Sequence, residues 1–240
     1  DMTAMTGYEP IKFVSTAAHS GASKGTSDWP LFRTAEVYLN YAEAKAELGT
    51  LTKDDLLISI DRIRDRAGMK GLDMAAANAN PDPFLLACYP NVTKSENTGV
   101  ILEIRRERTI ELVMEGLRMW DMFRWKEGAQ LVNETNPYYG IYFSGPGLYD
   151  MDGDGRNDLE LYVDKQTSSP ADGLTVLRIG SDIILSDMAE NRGYVVAWST
   201  LKYTWNEERD YLWPIPADQR VLTGGLLTQN PGWTDSTDFD

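Results

Sequence analysis

The residue types best placed to do chemistry lie in one short run, Asp150-Met-Asp-Gly-Asp-Gly-Arg-Asn-Asp158. Its carboxylates fall at positions 1, 3, 5 and 9 of a D-x-D-x-D-G-x-x-D pattern. In a tightly curled loop alternate side chains turn inward, so Asp150, Asp152 and Asp154 can converge on one hard cation. Gly155 stands at position 6, where calcium loops turn sharply, and the carbonyl of Arg156 at position 7 would add a ligand. Asp158 would reach the ion directly or through water. Position 12 is Leu161 rather than the bidentate glutamate of an EF-hand, and a strand is expected where an EF-hand has a helix. The expectation is a structural Ca2+ site outside the EF-hand class, with one ligand supplied from elsewhere. The same Asp and Gly content also suits an acidic surface turn.

Residues 103–124 interleave carboxylates with arginines. Glu107 and Glu111 stand one helical turn apart, which suggests an acid/base pair, but Arg105, Arg106 and Arg108 surround them. Neighbouring positive charge favours the ionised carboxylate, the opposite of what a general acid needs, so ion pairing is the expected role. The aromatics offer a different chemistry. Tyr138, Tyr139, Tyr142 and Phe143 lie in one Gly-punctuated segment, and Trp198, Tyr203 and Trp205 lie in another. Flat apolar rings cover the C–H faces of a pyranose while nearby amides satisfy its hydroxyls. Core packing competes with that role at each ring, because aromatics carry large burial energies.

Residues 1–27 read as irregular, with a Gly/Ser-rich loop over 19–27. A mobile loop positions nothing, so His19 beside Ser20 is not read as catalytic. Asp28 is expected to cap a helix with Pro30 in its first turn. Ala35, Tyr38, Leu39, Ala42 and Ala46 then share one face, and Gly49 stops the helix. Thr52 caps a second helix whose stripe is Leu56, Ile60, Ile63 and Ala67, ended by Gly68. Together, 28–68 form an αα-hairpin, the unit of TPR-type solenoids. A solenoid needs several such units, so the chain, which begins at Asp1 in polar sequence, is read as the C-terminal part of a longer protein.

Residues 70–97, with Pro81, Pro83 and Pro90, read as loop. One long helix is expected over 98–126, its apolar set including Ile101, Ile104, Ile110, Val113, Leu117 and Trp120. The i,i+3 pairs Arg108–Glu111, Glu115–Arg118, Arg118–Asp121 and Asp121–Arg124 would lace its surface. Gly116 sits mid-helix, a position that close approach of another segment would explain. Residues 137–210 read as a loop- and strand-rich insertion, with strands near 159–163, 176–179 and 194–198. Tyr211-Leu-Trp-Pro-Ile-Pro216 is too rich in proline for a helix or central strand. The fold class is mainly α: a TPR-like helical hairpin and a long helix, with an irregular region carrying a few short strands.

The 240 residues carry a formal charge of −14 with 42% hydrophobic residues, which suits a globular core and an acidic surface. That surface repels phosphate backbones and anionic lipid, so no nucleic-acid partner is expected. The single Cys88 excludes an internal disulfide, and the single His19 excludes a multi-histidine metal site.

Five stretches resemble one family in the right order. Arg33-Thr-Ala-Glu-Val-Tyr-Leu-Asn-Tyr-Ala-Glu-Ala44 resembles the RYAEVYLNYAEA helix of the SusD/RagB proteins, and Ile63-Arg-Asp-Arg-Ala-Gly-Met69 is similar to their IRxRAGM element. Glu103 to Asp121 resembles their ERRxEL…EGxRxxD helix. Tyr211 to Pro216 resembles YLxPIP, and Gln229-Asn-Pro-Gly-Trp233 resembles the closing QNPGW. Trp120, Trp125, Trp213 and Trp233 lie inside or beside these motifs and are expected to be structural. The resemblance implies a mostly helical, non-catalytic protein that binds oligosaccharide. It implies an outer-membrane, cell-surface lipoprotein anchored through an N-terminal Cys that is not in this sequence. It implies a SusC-like TonB-dependent transporter as partner. Two other readings stand beside it: a helical scaffold that binds a protein or peptide in its hairpin groove, and a glycoside hydrolase with paired carboxylates.

Overall fold

The computed structural model describes residues 6–8, 12–13, 16, 19, 25, 28, 30–132, 138–169, 173–198 and 200–234. Most of the stretch 19–27, Ser20 included, lies outside them, as do Trp29 and the acidic residues at the C-terminus. The chain divides into a helical unit, Phe13–Val132 with Thr204–Asp240, and a strand-rich unit, Asp1–Lys12 with Asn133–Tyr203.

In the helical unit, α1 spans Thr34–Glu47 and so begins later than Asp28. Arg33 holds the N-cap position in an extended conformation without capping anything. Its guanidinium is drawn instead to Glu111 and Glu115. The expected face of α1 is buried, with Ala35, Leu39, Ala42 and Ala46 sealed and Tyr38 half-buried. Gly49 follows with φ +68, the left-handed turn that L side chains resist.

Thr52 caps the next helix as expected. Its hydroxyl accepts from the Asp55 N–H at 3.2 Å, and the Asp55 carboxylate accepts from the Thr52 N–H at 2.8 Å. That helix is interrupted, however, into α2, Lys53–Ile58, and α3, Ile60–Arg66. Ser59 lies between them with φ −125 and ψ −99, its hydroxyl donating to the Asp55 carbonyl at 2.5 Å. A serine that bonds back one turn offers the backbone an alternative to the helical ladder. Leu56, Ile60 and Ile63 are buried, while Ala67 is exposed. Gly68, φ +69, ends the pair.

Residues 70–97 contain two short helices rather than loop alone. Asp73 caps α4, Met74–Ala79, by accepting from the Ala76 N–H at 3.0 Å. Asp82 caps α5, Pro83–Cys88, by accepting from the Phe84 N–H at 2.8 Å, with Pro83 in the first turn where its missing N–H costs nothing.

The single helix expected over 98–126 is two helices, α6, Thr98–Glu111, and α7, Arg118–Trp125. Met114 and Gly116 turn left-handed between them, with φ +64 and +76. A Cβ at Gly116 would meet nothing within 4 Å. The glycine is there for its backbone freedom, not for close approach of a neighbour. Ile101 and Ile104 are fully buried, whereas Ile110, Val113 and Trp120 are exposed. The break also removes most of the expected i,i+3 pairs. Asp121–Arg124 forms at 2.9 Å, but Arg108 reaches across to Asp121, and Glu115 pairs with Arg33.

The core of this unit gathers α1, α2, α3 and α6 around Leu39, Leu56, Ile60, Ile101 and Ile104. Gly99 lets α6 meet the backbone of α4, since a Cβ there would lie 1.9 Å from the Ala77 carbonyl oxygen. A short α8, Gly128–Leu131, and α9, Ala217–Leu222, complete the helices. The proline-rich segment before α9 has neither ladder, and side-chain amides supply its bonds. Gln229 accepts from the Ile215 N–H at 2.8 Å and donates to the Ile215 carbonyl at 3.1 Å. Asn230 donates to the Trp213 carbonyl at 2.7 Å, and the Trp233 indole donates to the Leu212 carbonyl at 2.8 Å. Trp125 is buried, while Trp120 and Trp213 are each 56% exposed.

The strand-rich unit contains β1, Tyr139–Phe143, β2, Gly147–Tyr149, β3, Leu159–Tyr162, β4, Thr175–Arg178, β5, Leu185–Asp187, and β6, Arg192–Val196. One sheet has the order β1-β6-β5, antiparallel throughout, and the other β2-β3-β4, with β3 and β4 parallel. Their core is Phe143, Leu159, Leu161, Ile179, Leu185 and Val195. The expected alternation fails at Glu160, which is 3% exposed. It accepts from the Thr167 N–H and hydroxyl at 2.6 and 2.8 Å and from the Ser168 N–H at 2.6 Å. Those donors hold its carboxyl at about 2. No described helix is long and apolar enough to cross a membrane.

Candidate functional site

Two of the expected sugar-binding tyrosines, Tyr139 and Tyr142, lie on β1, and the sheet decides which way they face. β1 pairs with β6 so that Tyr142 stands opposite Tyr194 and Tyr139 opposite Val196, with a register shift between the two pairs. In a regular strand, residues three apart point to opposite faces. The irregularity carries an extra residue, so Tyr139 and Tyr142 are both exposed, at 47% and 54%. Gly140 makes room for it: a Cβ there would lie 2.2 Å from the Thr6 carbonyl oxygen, which accepts from the Ile141 N–H at 2.9 Å. Thus a piece of the N-terminal segment is built into this unit, which its irregular sequence did not announce.

Tyr194 projects between the two β1 tyrosines. Its ring is nearly parallel to that of Tyr139, at 5.4 Å and 21°, and edge-on to that of Tyr142, at 5.2 Å. Tyr138 and Tyr203 form a second pair at 5.2 Å. Trp198, just past the end of β6, is 44% exposed. The structure therefore brings Tyr139 and Tyr142 together through Tyr194, a residue of an expected strand whose pairing with them no local pattern shows. Only the register across β1 and β6 reveals it. Exposed aromatics grouped in this way cost solvation without a ligand to cover them.

Trp205 has a different setting, in the helical unit. It packs edge-on against Tyr211 at 5.0 Å and lies 5.9 Å from Phe123. A Cβ on Gly128 would stand 2.0 Å from its ring. It is half-buried there, with protein against part of its ring, and lies in a different unit from the tyrosines.

The acidic loop curls as expected, with Gly153 and Gly155 at φ +81 and +88. Asp150 accepts from the Gly153 and Gly155 N–H groups at 2.7 and 2.8 Å, and those donors, that of Gly155 foremost, lower its pKa. Asp158 accepts from the Met151 N–H at 2.8 Å and closes the loop. Ligand oxygens of Asp150, Asp152 and Asp158 all lie within 4.8 Å of one another. Asp154 is outside that group, its carboxylate accepting from the Arg156 N–H at 2.7 Å. Three carboxylate oxygens form a hard donor set that suits Ca2+ better than a softer metal, and Ca2+ takes six to eight oxygens. The three side chains would hold such an ion in part, and their remaining role is to brace the loop.

The paired carboxylates of α6 are committed to arginine. Glu107 is bound by Arg64, and Glu111 by Arg33 at 2.8 Å and Arg66 at 2.6 Å. Burial raises the pKa of Glu127, but that side chain is sealed and accepts from the Asn91 N–H. A general acid needs access to substrate as well as a raised pKa.

The SusD family profile matches residues 2–233. Among solved structures, a SusD-like protein from Bacteroides fragilis is similar at 23% identity and a TM-score of 0.46, over 85% of this chain and 26% of its own. A protein named BT4246 is similar at 24% identity and a TM-score of 0.50, over 89% of this chain and 25% of its own. The second likeness concerns the fold alone. No curated protein matches. The chain spans about a quarter of the length of these solved relatives. With the hairpin, the broken α6–α7 pair and the amide-bracketed proline segment all lying within the matched residues, the chain belongs to the SusD family.

Proposed function

We propose that this chain is the C-terminal part of a non-catalytic, glycan-binding component of an outer-membrane nutrient-uptake system. The observation that carries the reading is the exposed tyrosine face of β1 and β6, Tyr139, Tyr142 and Tyr194, supported by family membership. Tyr138, Tyr203 and Trp198 extend the aromatic surface of the same unit. The rings would cover the apolar faces of successive sugars, and no bond would be made or broken. The longer protein would be a cell-surface lipoprotein that passes oligosaccharide to a SusC-like TonB-dependent transporter. Ca2+ held by Asp150, Asp152 and Asp158 would pin the loop that joins β2 to β3 and leave chemistry to none of them. Calorimetric titration of the 240-residue chain with a panel of neutral oligosaccharides tests the reading. Binding that is weakened about tenfold in Tyr194→Ala supports it, and release of new reducing ends overturns it.

A further inference from the structure

A second feature lies in the helical unit, where α6 and α7 meet at the left-handed turn through Met114 and Gly116. A cleft of about 140 Å³ opens there, lined by Arg108, Arg118 and Asp121, with Leu112, Val113 and Met114 as an apolar wall. A single water needs only about 10–15 Å³ of such space, so a group of several heavy atoms fits.

The charges around this cleft are unbalanced. Of the arginines on α6 and α7, Arg105 pairs with Glu47 and Glu127, Arg106 with Asp82 and Glu103, Arg108 with Asp121, and Arg124 with Glu43 and Asp121. Among the described residues, Arg118 alone of these makes no ion pair with a carboxylate. Its Nη1 donates to the Thr109 hydroxyl at 3.0 Å and its Nη2 to the Tyr89 hydroxyl at 3.1 Å. Neutral acceptors orient a guanidinium without cancelling its charge. This happens in a chain where acidic residues outnumber basic ones by 37 to 23. Asp121, the one carboxylate in the lining, is already engaged by both Arg108 and Arg124. Arg118 Nε and Arg108 Nη2 make no hydrogen bond among the described residues, although Arg108 uses its other two nitrogens on Asp121 and Asn40.

We propose that this cleft binds the carboxylate of a small acidic ligand, of the chemical class of a uronic acid. Two guanidiniums each offer one nitrogen with unused N–H donors, and charged donors of this kind suit the oxygens of a carboxylate. Arg118 is also held against the rings of Tyr89 and Trp125, at 5.7 and 5.8 Å, so little freedom remains to be lost on binding. The apolar wall of Leu112, Val113 and Met114 suits the C–H surface of the attached ring. This site is independent of the tyrosine face and stands or falls separately from it.

The test uses the whole 240-residue chain with sodium glucuronate as probe and glucose at matched ionic strength as control. Binding is followed by calorimetry and by the Arg Nε resonances. Glucuronate is expected to bind and glucose not to. Arg118→Met is expected to weaken glucuronate at least about tenfold. Val113→Trp, which alters an exposed wall residue and leaves both arginines in place, should block the cleft to the same extent and covers the case in which Arg118→Met does not fold. Equal responses to glucose and glucuronate, or undiminished glucuronate binding in either folded variant, overturns the proposal.

Discussion

Arg108 and Asp121 stand thirteen residues apart on α6 and α7, and the Arg108 Nε lies 2.8 Å from each oxygen of the Asp121 carboxylate. Both side chains are buried, at 4% and 2% exposure. This pair is the bolt across the turn that separates the two helices. Removing one partner leaves a buried charge unmatched, which typically costs about 3–5 kcal/mol. Asp121→Ala is therefore expected to lower the unfolding free energy of the helical unit by about that amount, read by chemical unfolding. A variant as stable as the parent would show that the turn closes without the bolt.

The tyrosine face can be dissected ring by ring. Tyr194 touches both Tyr139 and Tyr142, so Tyr194→Ala should weaken oligosaccharide binding by about tenfold, more than loss of either neighbour. The residue is 47% exposed, so its melting temperature should barely change. Calorimetry against the best ligand of a neutral glycan panel measures the first effect, and a thermal melt the second.

Calcium should stabilise the strand-rich unit. With the ion at a hundred times its dissociation constant, the melting temperature is expected to rise by about 5–10 °C and to fall back with chelator. Asp152→Ala should abolish the rise, whereas Asp154→Ala, whose carboxylate lies outside the converging group, should reduce it less. Identical melts with calcium and with chelator would remove the ion from the account.

Glu160 makes acid stability testable. Its carboxyl is held at about 2 in the folded chain against an ordinary 4.5, first by the Thr167 N–H. Between those values the unfolded chain takes up a proton that the folded chain refuses. The Glu160 contribution is therefore complete above about pH 5 and is lost as the pH falls toward 2. Glu160→Gln should be less stable than the parent at pH 7 and should show a flatter decline on acidification. Melts at a series of pH values give both slopes.

Glycine contacts supply a steric test. Gly99→Ala places a methyl against the Ala77 carbonyl, and overpacking of this kind costs about 1–3 kcal/mol. Gly116→Ala meets no atom, yet its φ of +76 still opposes a side chain, so it should be destabilising without any change in packing. Unfolding midpoints for the two variants separate a spatial cause from a conformational one.

Local signals in the sequence are legible where the cause is local. Gly49, Thr52 and Gly68 punctuate the hairpin because each acts on its own turn. The interruption at Ser59 is not legible there, because its hydroxyl can bond either solvent or the Asp55 carbonyl and composition does not say which. The break at Met114 and Gly116 was hidden by apolar and charged residues that continue the helical period on both sides. Once α7 turns away, Arg108, Arg33 and Glu115 find partners that no i,i+3 rule would name. In the strand-rich unit, the tyrosines of β1 were visible, but their common face depends on a bulge made possible by Gly140 and on Thr6, far away in sequence. Tyr194 was invisible as a partner for the same reason.

The long span of the α1 contacts also has a consequence in time. Glu43 is sealed in the folded protein, where Arg124 and the Trp125 indole, 81 and 82 residues later, hold it at 2.5–2.7 Å. Ribosomes add about 5–20 residues each second, so α1 waits roughly 4–16 s after its own synthesis before those partners exist. Arg33 waits as long for Glu115. Through that interval the Glu43 carboxylate lacks the two partners that hold it in the folded protein. On the ribosome, then, the Glu43 carboxylate gains the arginine and indole that hold it only once α7 has been made.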